Sequence, residues 1–378
     1  MVKEIKIQNY KSVQDLTLEL GRINVLIGAN GCGKSNILEG IALGASAAVE
    51  ELENKFLALR GIRVTDPIWM RSGFLKEFQT ESIDIEVLVD ENRYKFHLKN
   101  KNEPFSEWEI VKNNDIKRDE YKMEMQPKGE KIALPEYDYE VLKKMLNELI
   151  FDSTLKYSNF PNFLIYAPEN TFLRRFEDEL HNKSLGIRGE GLFKLLSVMS
   201  QETPEQFQEI IENLELIDWF EGFEIPKDLV FTERRIRIKD RFLEEGLQYF
   251  DQRSSNEGFL FLMFYFALFI SKYTPKFFAI DNIDASLNPK LCAELMKILT
   301  KLAKKHDKQV IFTTHNPSIL DGLNLNDDEV RLLVVSRNRE GHTKIKRVLP
   351  VETPEGRVPV RLSEQFMRGY IGGLPKNF

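Results

Sequence analysis

The sequence predicts an α/β fold with a mostly parallel sheet, an antiparallel β layer near its start and an inserted α+β segment. Three observations carry this. A compact, β-branched run, Ile23-Asn24-Val25-Leu26-Ile27, enters a glycine cluster and then a helical apolar stripe. The last third alternates strand and helix, the order that gives parallel strands with helices on both faces. Residues 4–8 and 16–20 alternate apolar with charged or polar side chains, as strands with one wet face do.

Taken in order, a helix is expected from about 34 to 57, with Ile37, Leu38, Ile41 and Ala42 as its stripe. Residues 82–99 alternate around Asp90-Glu91-Asn92 and read as a β-hairpin. Residues 100–136 are polar, rich in Lys and Glu with scattered prolines, and read as a surface insertion. Helical patterns return near 138–151, 190–201 and 205–216, with strands near 162–167 and 229–238. A buried helix at 257–272, an apolar strand at 277–280, a helix at 289–305 and strands at 310–312, 330–336 and 343–349 complete the pattern. No internal repeat or sustained heptad occurs.

Composition narrows the class. The 378 residues allow two average domains or one large domain with an insertion. At 42% hydrophobic and 30% charged, the chain can build a core. Net charge is −6, so any nucleic-acid contact must be local rather than a whole-molecule field. Two distant cysteines, Cys32 and Cys292, suggest a reducing compartment, and the start has no secretory apolar core. The one apolar run, residues 259–270, is too short to span a bilayer. No membrane contact and a cytoplasmic location are expected.

Four stretches carry chemistry. Gly28-Ala29-Asn30-Gly31-Cys32-Gly33-Lys34-Ser35 is a GxxxxGK[ST] turn directly after the buried strand. Its glycines let backbone N–H groups face phosphates, and the following helix adds its positive end. Lys34 suits the β and γ phosphates of ATP, and the Ser35 hydroxyl suits Mg²⁺. The apolar strand Phe277-Phe278-Ala279-Ile280 ends in Asp281, placed at a sheet edge to assist the same Mg²⁺. His315 follows the buried run Val310-Ile311-Phe312, at the same edge, where a γ-phosphate sensor would stand. Arg253-Ser254-Ser255-Asn256-Glu257-Gly258 opens the most apolar helix and offers N–H donors to an anion.

Together these stretches resemble the ABC-type P-loop ATPases of the RecF, SMC and OLD-like branch. The opening Ile7-Gln8-Asn9-Tyr10-Lys11-Ser12 is similar to that branch's start, and the resemblance implies that Lys11 reaches the nucleotide. Gly28–Ser35 looks like Walker A, which implies nucleotide contacts from Asn30, Gly31, Cys32, Gly33, Lys34, Ser35 and Asn36. Ile280-Asp281 resembles Walker B, Ala285-Ser286-Leu287-Asn288 the D-loop, and His315 the switch histidine. Ser255 and Gly258 resemble a degenerate signature motif, which in the family caps the nucleotide of the opposite subunit. Leu185-Gly186-Ile187-Arg188-Gly189-Glu190-Gly191-Leu192 and the closing segment 362–373 are similar to AAA-like ATPases of prokaryotic defence loci. The implied division is an N-terminal part of the head at 1–58, an insertion with hairpin and helix at 59–154, and a helical lobe with the rest of the head at 155–378.

Two departures stand out. The signature carries one extra residue, leaving Ser254 or Ser255 as the capping serine. The family places a catalytic glutamate after the Walker B aspartate, where this chain has Asn282. Asparagine can orient water but cannot take its proton, and losing a general base costs about 10²–10⁴ in rate. Asp284 is the remaining nearby carboxylate, so the catalytic set is Asp281, Asn282, Asp284 and His315, with slow hydrolysis expected.

The resemblance implies a homodimer, or a higher oligomer of dimers, closed by two ATP molecules. No nuclease motif is evident, so the expected role is an ATPase that regulates a separately encoded effector, such as a nuclease, in anti-phage defence. A RecF-like DNA-repair or DNA-end-binding ATPase is the alternative. Arg235, Arg237 and Lys239 would share one strand face, either contacting phosphates or protecting a solvated edge strand.

Overall fold

The computed structural model describes residues 1–75, 79–103, 106–111, 154–156, 158–176, 185–226, 234–350 and 360–374. The helix expected at 138–151 lies outside the described residues.

Its centre is a six-stranded sheet in the order β14-β13-β3-β12-β11-β7. The strands are β3 (Ile23–Ile27), β7 (Ile165–Tyr166), β11 (Phe277–Ile280), β12 (Gln309–Thr314), β13 (Val330–Arg337) and β14 (Thr343–Val348). All neighbours run parallel except β14, which turns back on β13. β3, β11 and β12 are buried along their whole length, which explains their largely apolar centres. The register sets Val25 and Ile280 on either side of Phe312. The three strands therefore end together, and the residues after them gather at one sheet edge.

The second layer is an antiparallel sheet, β2-β1-β4-β5-β6, from β1 (Val2–Tyr10), β2 (Val13–Glu19), β4 (Ile83–Val89), β5 (Asn92–Lys99) and β6 (Glu109–Ile110). The expected hairpin is present as β4 and β5, but β4 pairs with β1 from Val2↔Val89 to Gln8↔Asp84. Residues 83–99 thus extend the N-terminal sheet. Pairing one sheet edge with another is invisible in sequence because only the local alternation is encoded there.

Helix α1 (Lys34–Ala48) lies between the two sheets. Two glycines a turn apart let it sit close: a Cβ on Gly40 would come 2.9 Å from Ile7 Cδ1, and one on Gly44 would come 2.7 Å from Ile85 Cγ2. The helix ends earlier than the expected 57. Glu50 takes a left-handed φ of 58°, and a separate helix α2 (Asn54–Leu59) follows. Three glutamates at 50, 51 and 53 would face the negative end of a continued helix, which disfavours continuation.

The remaining helices used below are α3 (Leu192–Glu202), α4 (Pro204–Leu214), α5 (Glu257–Ile270), α6 (Pro289–Lys305) and α7 (Leu362–Met367). α5 is buried on every side from Phe259 to Ile270, so its apolar run is a core helix. Its Phe269 ring stacks parallel to Phe312 of β12. Among the described residues no helix is long and apolar enough to cross a membrane.

A small antiparallel sheet, β10-β9-β8, lies beside α3–α5 and comprises β8 (Phe220–Glu224), β9 (Arg237–Asp240) and β10 (Tyr249–Phe250). The expected strand at 229–238 is met only by β9, and 227–233 lie outside the described residues. β9 is the middle strand, so the edge-strand reading of its basic residues is corrected. Arg237 pairs with Glu224 at 3.3 Å and Lys239 with Glu221 at 2.5 Å, both on neighbouring β8.

Candidate functional site

Gly28 to Ser35 curls from the end of β3 into α1 with its back against β13 and β14. A Cβ on Gly28 would lie 2.1 Å from the Val335 carbonyl oxygen, and one on Gly33 would lie 2.1 Å from Thr343 Oγ1. Gly31, by contrast, has no atom within 4 Å of its would-be Cβ, so the loop is walled behind and open in front. Gly31 and Gly33 hold φ of 73° and 108°, values that favour glycine. Gly33 is the N-cap of α1 and supplies no side-chain cap. The first-turn N–H groups of α1 are therefore left to the loop's open side, the arrangement that binds phosphate.

Lys34 is buried, and its ammonium donates to the carbonyls of Gly28 at 2.8 Å and Ala29 at 3.2 Å. It also stands 3.2 Å from His315 Nδ1, at the end of β12. Ser35 Oγ donates to Asp281 Oδ2 at 3.1 Å, and Thr313 Oγ1 donates to the other Asp281 oxygen. A serine oxygen beside a carboxylate is a hard-oxygen pair of the kind Mg²⁺ uses together with substrate phosphates. The chain's own groups thus fit a Mg²⁺–triphosphate: N–H donors, one ammonium and two hard oxygens at one edge.

Asn282 sits in the left-handed region, with φ 57°, and its N–H donates to Thr313 Oγ1 at 2.9 Å. Asparagine tolerates that conformation better than glutamate does. Asp284 accepts from Thr314 Oγ1 at 2.6 Å. The two threonines at the end of β12 therefore orient both Walker B-side carboxylates, a pairing the sequence reading did not assign. The signal was present in the polar Thr313-Thr314 pair closing an otherwise apolar strand.

Electrostatics at this edge oppose extra positive charge. Burial pushes the Lys34 ammonium below its ordinary pKa, against the pull of Cys32 and Asp281. Burial and then the Lys34 charge push His315 below the usual histidine value, so the ring is neutral at pH 7. A neutral imidazole can accept at one nitrogen while donating at the other.

Lys11 has φ 47°, and its ammonium pairs with Glu39 and donates to the Arg63 carbonyl at 3.1 Å. Glu39, 2% exposed, also accepts from the Tyr10 hydroxyl at 3.0 Å and pairs with Arg63. Arg63 reaches Asn36 Oδ1 at 3.2 Å, and Asn36 donates to Ser12 Oγ at 2.7 Å. In the structure Lys11 is thus held by a carboxylate on α1 within a network touching Asn36. Glu39 was legible as a lone acid within the apolar stripe of α1, but its partners come from β1 and residue 63, which only the fold brings near.

The serine cluster before α5 separates its two candidates. Ser255 is buried with its Oγ unpartnered among the described residues, whereas Ser254 is exposed with its N–H donating to Asp251. Asn256 caps α5 by accepting from the Phe259 N–H at 2.8 Å. Gly258 lies against the 286 carbonyl, 3.1 Å from a would-be Cβ, and Ser286 Oγ donates to Glu257 at 2.6 Å. The segment packs on residues 286–287, and among the described residues no hydrogen bond joins it to 28–36.

Comparison with known proteins agrees with this geometry. A family model described as "AAA domain, putative AbiEii toxin, Type IV TA system" matches residues 23–321. The DNA double-strand break repair Rad50 ATPase of Sulfolobus acidocaldarius is 49% identical over 45 residues, 12% of this chain and 5% of that protein. An uncharacterized protein of Methanocaldococcus jannaschii, MJECL10, is 32% identical over 115 residues, 29% of this chain and 52% of that one. The chain therefore spans about half or less of these relatives' lengths. The Smc head bound to the C-winged helix domain of ScpA superposes with a TM-score of 0.55 at 15% identity, covering 92% of this chain and 97% of that one. The Smc head with an extended coiled coil, bound to the C-terminal domain of Pyrococcus furiosus ScpA, gives 0.52 at 12% identity, covering 92% and 96%. With most of its length inside the family match, the chain belongs to this AAA-domain family, and its fold is that of an Smc head.

Proposed function

We propose that two copies of this chain close around two Mg²⁺–ATP molecules, hydrolyse them slowly and regulate a separately encoded effector such as a nuclease in anti-phage defence. The observation that carries the reading is the single sheet edge where the open-fronted P-loop, the Lys34–His315 contact and the Ser35–Asp281 oxygen pair meet, while the segment before α5 is hydrogen-bonded to Ser286 and not to that P-loop among the described residues. That segment would cap the nucleotide of a second copy, and ATP becomes the bond between subunits. Ser35 and Asp281 would hold Mg²⁺, Lys34 the phosphates, and His315 would sense the γ-phosphate. Asn282 replaces the proton acceptor, leaving Asp284 to assist water, so the closed state persists as a signal. The Smc heads whose solved structures carry ScpA support a protein partner for a head of this shape.

The test joins light scattering to steady-state turnover. ATP with Mg²⁺ should double the mass and Lys34→Ala should prevent it, with turnover well below once per second. Rapid hydrolysis that survives both Asn282→Ala and Asp284→Ala would remove the slow-switch account. The local match to a DNA double-strand break repair ATPase supports a second reading, a DNA-end-binding ATPase.

A further inference from the structure

The glycine-rich closing segment, residues 362–374, reaches the nucleotide site at two places. Its helix α7 is tied to the turn Pro317–Gly322, which begins two residues after His315. Both oxygens of Asp321 in that turn accept from Ser363, one from its N–H at 3.0 Å and one from its hydroxyl at 2.7 Å. On its other side the turn sits on α6, where a Cβ on Gly322 would lie 2.2 Å from the Ala293 carbonyl oxygen. The chain that carries His315 is therefore held between α6 and α7.

α7 then ends in a tight reversal. Gly369 takes a left-handed φ of 75°, its N–H donates to the Phe366 carbonyl at 2.9 Å, and the Tyr370 N–H donates to the Gln365 carbonyl at 2.9 Å. These are the paired bonds of a helix stopped by glycine. Gly372 and Gly373 follow with φ of 82° and 86° and bring the chain back over β13. A Cβ on Gly373 would lie 2.8 Å from Val334 Cγ1, 3.1 Å from Phe366 and 3.6 Å from the Cα of Gly28, which opens the P-loop. The Gly28 carbonyl is in turn an acceptor for the Lys34 ammonium. A side chain at 373 would have neither a relaxed backbone nor space, so glycine is what lets the segment reach the loop.

We propose that residues 362–374 form a brace that holds His315 and Lys34 in place for the terminal phosphate of ATP, with Asp321, Ser363 and Gly373 as positioning residues. The inference rests on the triphosphate reading of the P-loop and adds to it a source of discrimination between ATP and ADP. One end of the brace fixes the segment after His315. The other fixes the loop residue that Lys34 binds, and the two side chains meet at 3.2 Å. Holding both beforehand removes the ordering cost of gripping a γ-phosphate. ADP lacks that phosphate and gains little. The brace is also separable from the fold: Phe366 is its one buried side chain among the described residues, and Met367 to Tyr370 are exposed. A segment with so few buried contacts opens at low cost, so losing it should leave the head folded.

The experiment titrates the whole chain with Mg²⁺–ATP and with Mg²⁺–ADP by calorimetry, beside thermal unfolding. Asp321→Ala and Gly373→Ala should each weaken ATP by about fivefold or more and ADP by less than about twofold, with little change in the unfolding midpoint. Asp321→Asn keeps a partner for both Ser363 groups and should restore the preference for ATP. Combining Asp321→Ala with Gly373→Ala should cost no more than the worse single change, because both cut one brace. Should Gly373→Ala fail to fold, Asp321→Ala and its Asn counterpart decide the matter. Equal losses for ATP and ADP, an unchanged ratio between them, or fully additive losses in the double variant would overturn the brace while leaving the triphosphate reading intact. A native chain that binds neither nucleotide would instead remove that reading, and the brace with it.

Discussion

The ammonium of Lys34 stands 3.2 Å from Nδ1 of His315, joining the P-loop to the end of β12 at a single point. Both groups face the place where a terminal phosphate would enter. Lys34→Ala removes charge-assisted hydrogen bonds worth about 1.5–3 kcal/mol each, so ATP affinity should fall by about 10- to 100-fold in a calorimetric titration. Unchanged affinity would show that the loop holds no triphosphate.

Ser35 and Asp281 are predicted to act as a pair, because one hydrogen bond already links their oxygens. Asp281→Asn should keep the local shape and lose a charge. ATP binding should then lose most of its dependence on Mg²⁺ while affinity without the metal changes little. A Mg²⁺ titration that matches the unsubstituted protein would count against this pairing.

Asn282 has a left-handed backbone that glutamate enters at a cost of about 1–2 kcal/mol. Asn282→Glu should therefore lower the melting temperature slightly. If the missing proton acceptor limits turnover, the same change should raise the hydrolysis rate by about tenfold or more. A destabilised variant with no gain in rate would place the limit elsewhere.

His315 gives stability a defined pH dependence. Burial and the Lys34 charge hold its folded pKa below 6.5, so the unfolded chain binds the extra proton first as pH falls. The histidine's contribution is complete above about pH 6.5 and is lost as pH drops through the window down to the folded value. Unfolding midpoints at about pH 7.5 and 5.5 should differ more for the native chain than for His315→Gln. An equal difference would exclude a coupled His315.

Lys308, buried beneath the C-terminal end of α5, donates to the carbonyls of Ser271, Thr274 and Pro275 and to the Thr274 hydroxyl. Burial pushes its pKa down to about 7, while the ring of acceptors favours the ammonium. Lys308→Met would strand those acceptors, and a loss of about 3 kcal/mol is expected from denaturant unfolding. A change within experimental error would mean that water replaces the lysine.

Much of the site was legible before any fold was known. A strand, a phosphate-binding turn and a helix are contiguous, so Gly28 to Ser35 declared themselves by local spacing. The apolar runs ending in Asp281 and before His315 marked buried strands whose following residues had to emerge at one edge. Periodicity also identified β4, β5, α5 and α6, because each buries one face or all of them along consecutive residues.

Partnerships across the chain were decided by tertiary structure alone. Glu39 with Lys11 and Arg63, Asp284 with Thr314, and β4 with β1 are all pairings between segments that local patterns describe separately. The neutralised charges of β9 and the exposed ones of the β13–β14 hairpin look alike as sequence, since both are alternating basic strands. What separates them is whether the neighbouring strand presents glutamates. Hydrogen-bond registry and charge pairing depend on which surfaces meet, whereas strand, turn and helix propensity depend on residues adjacent in the chain.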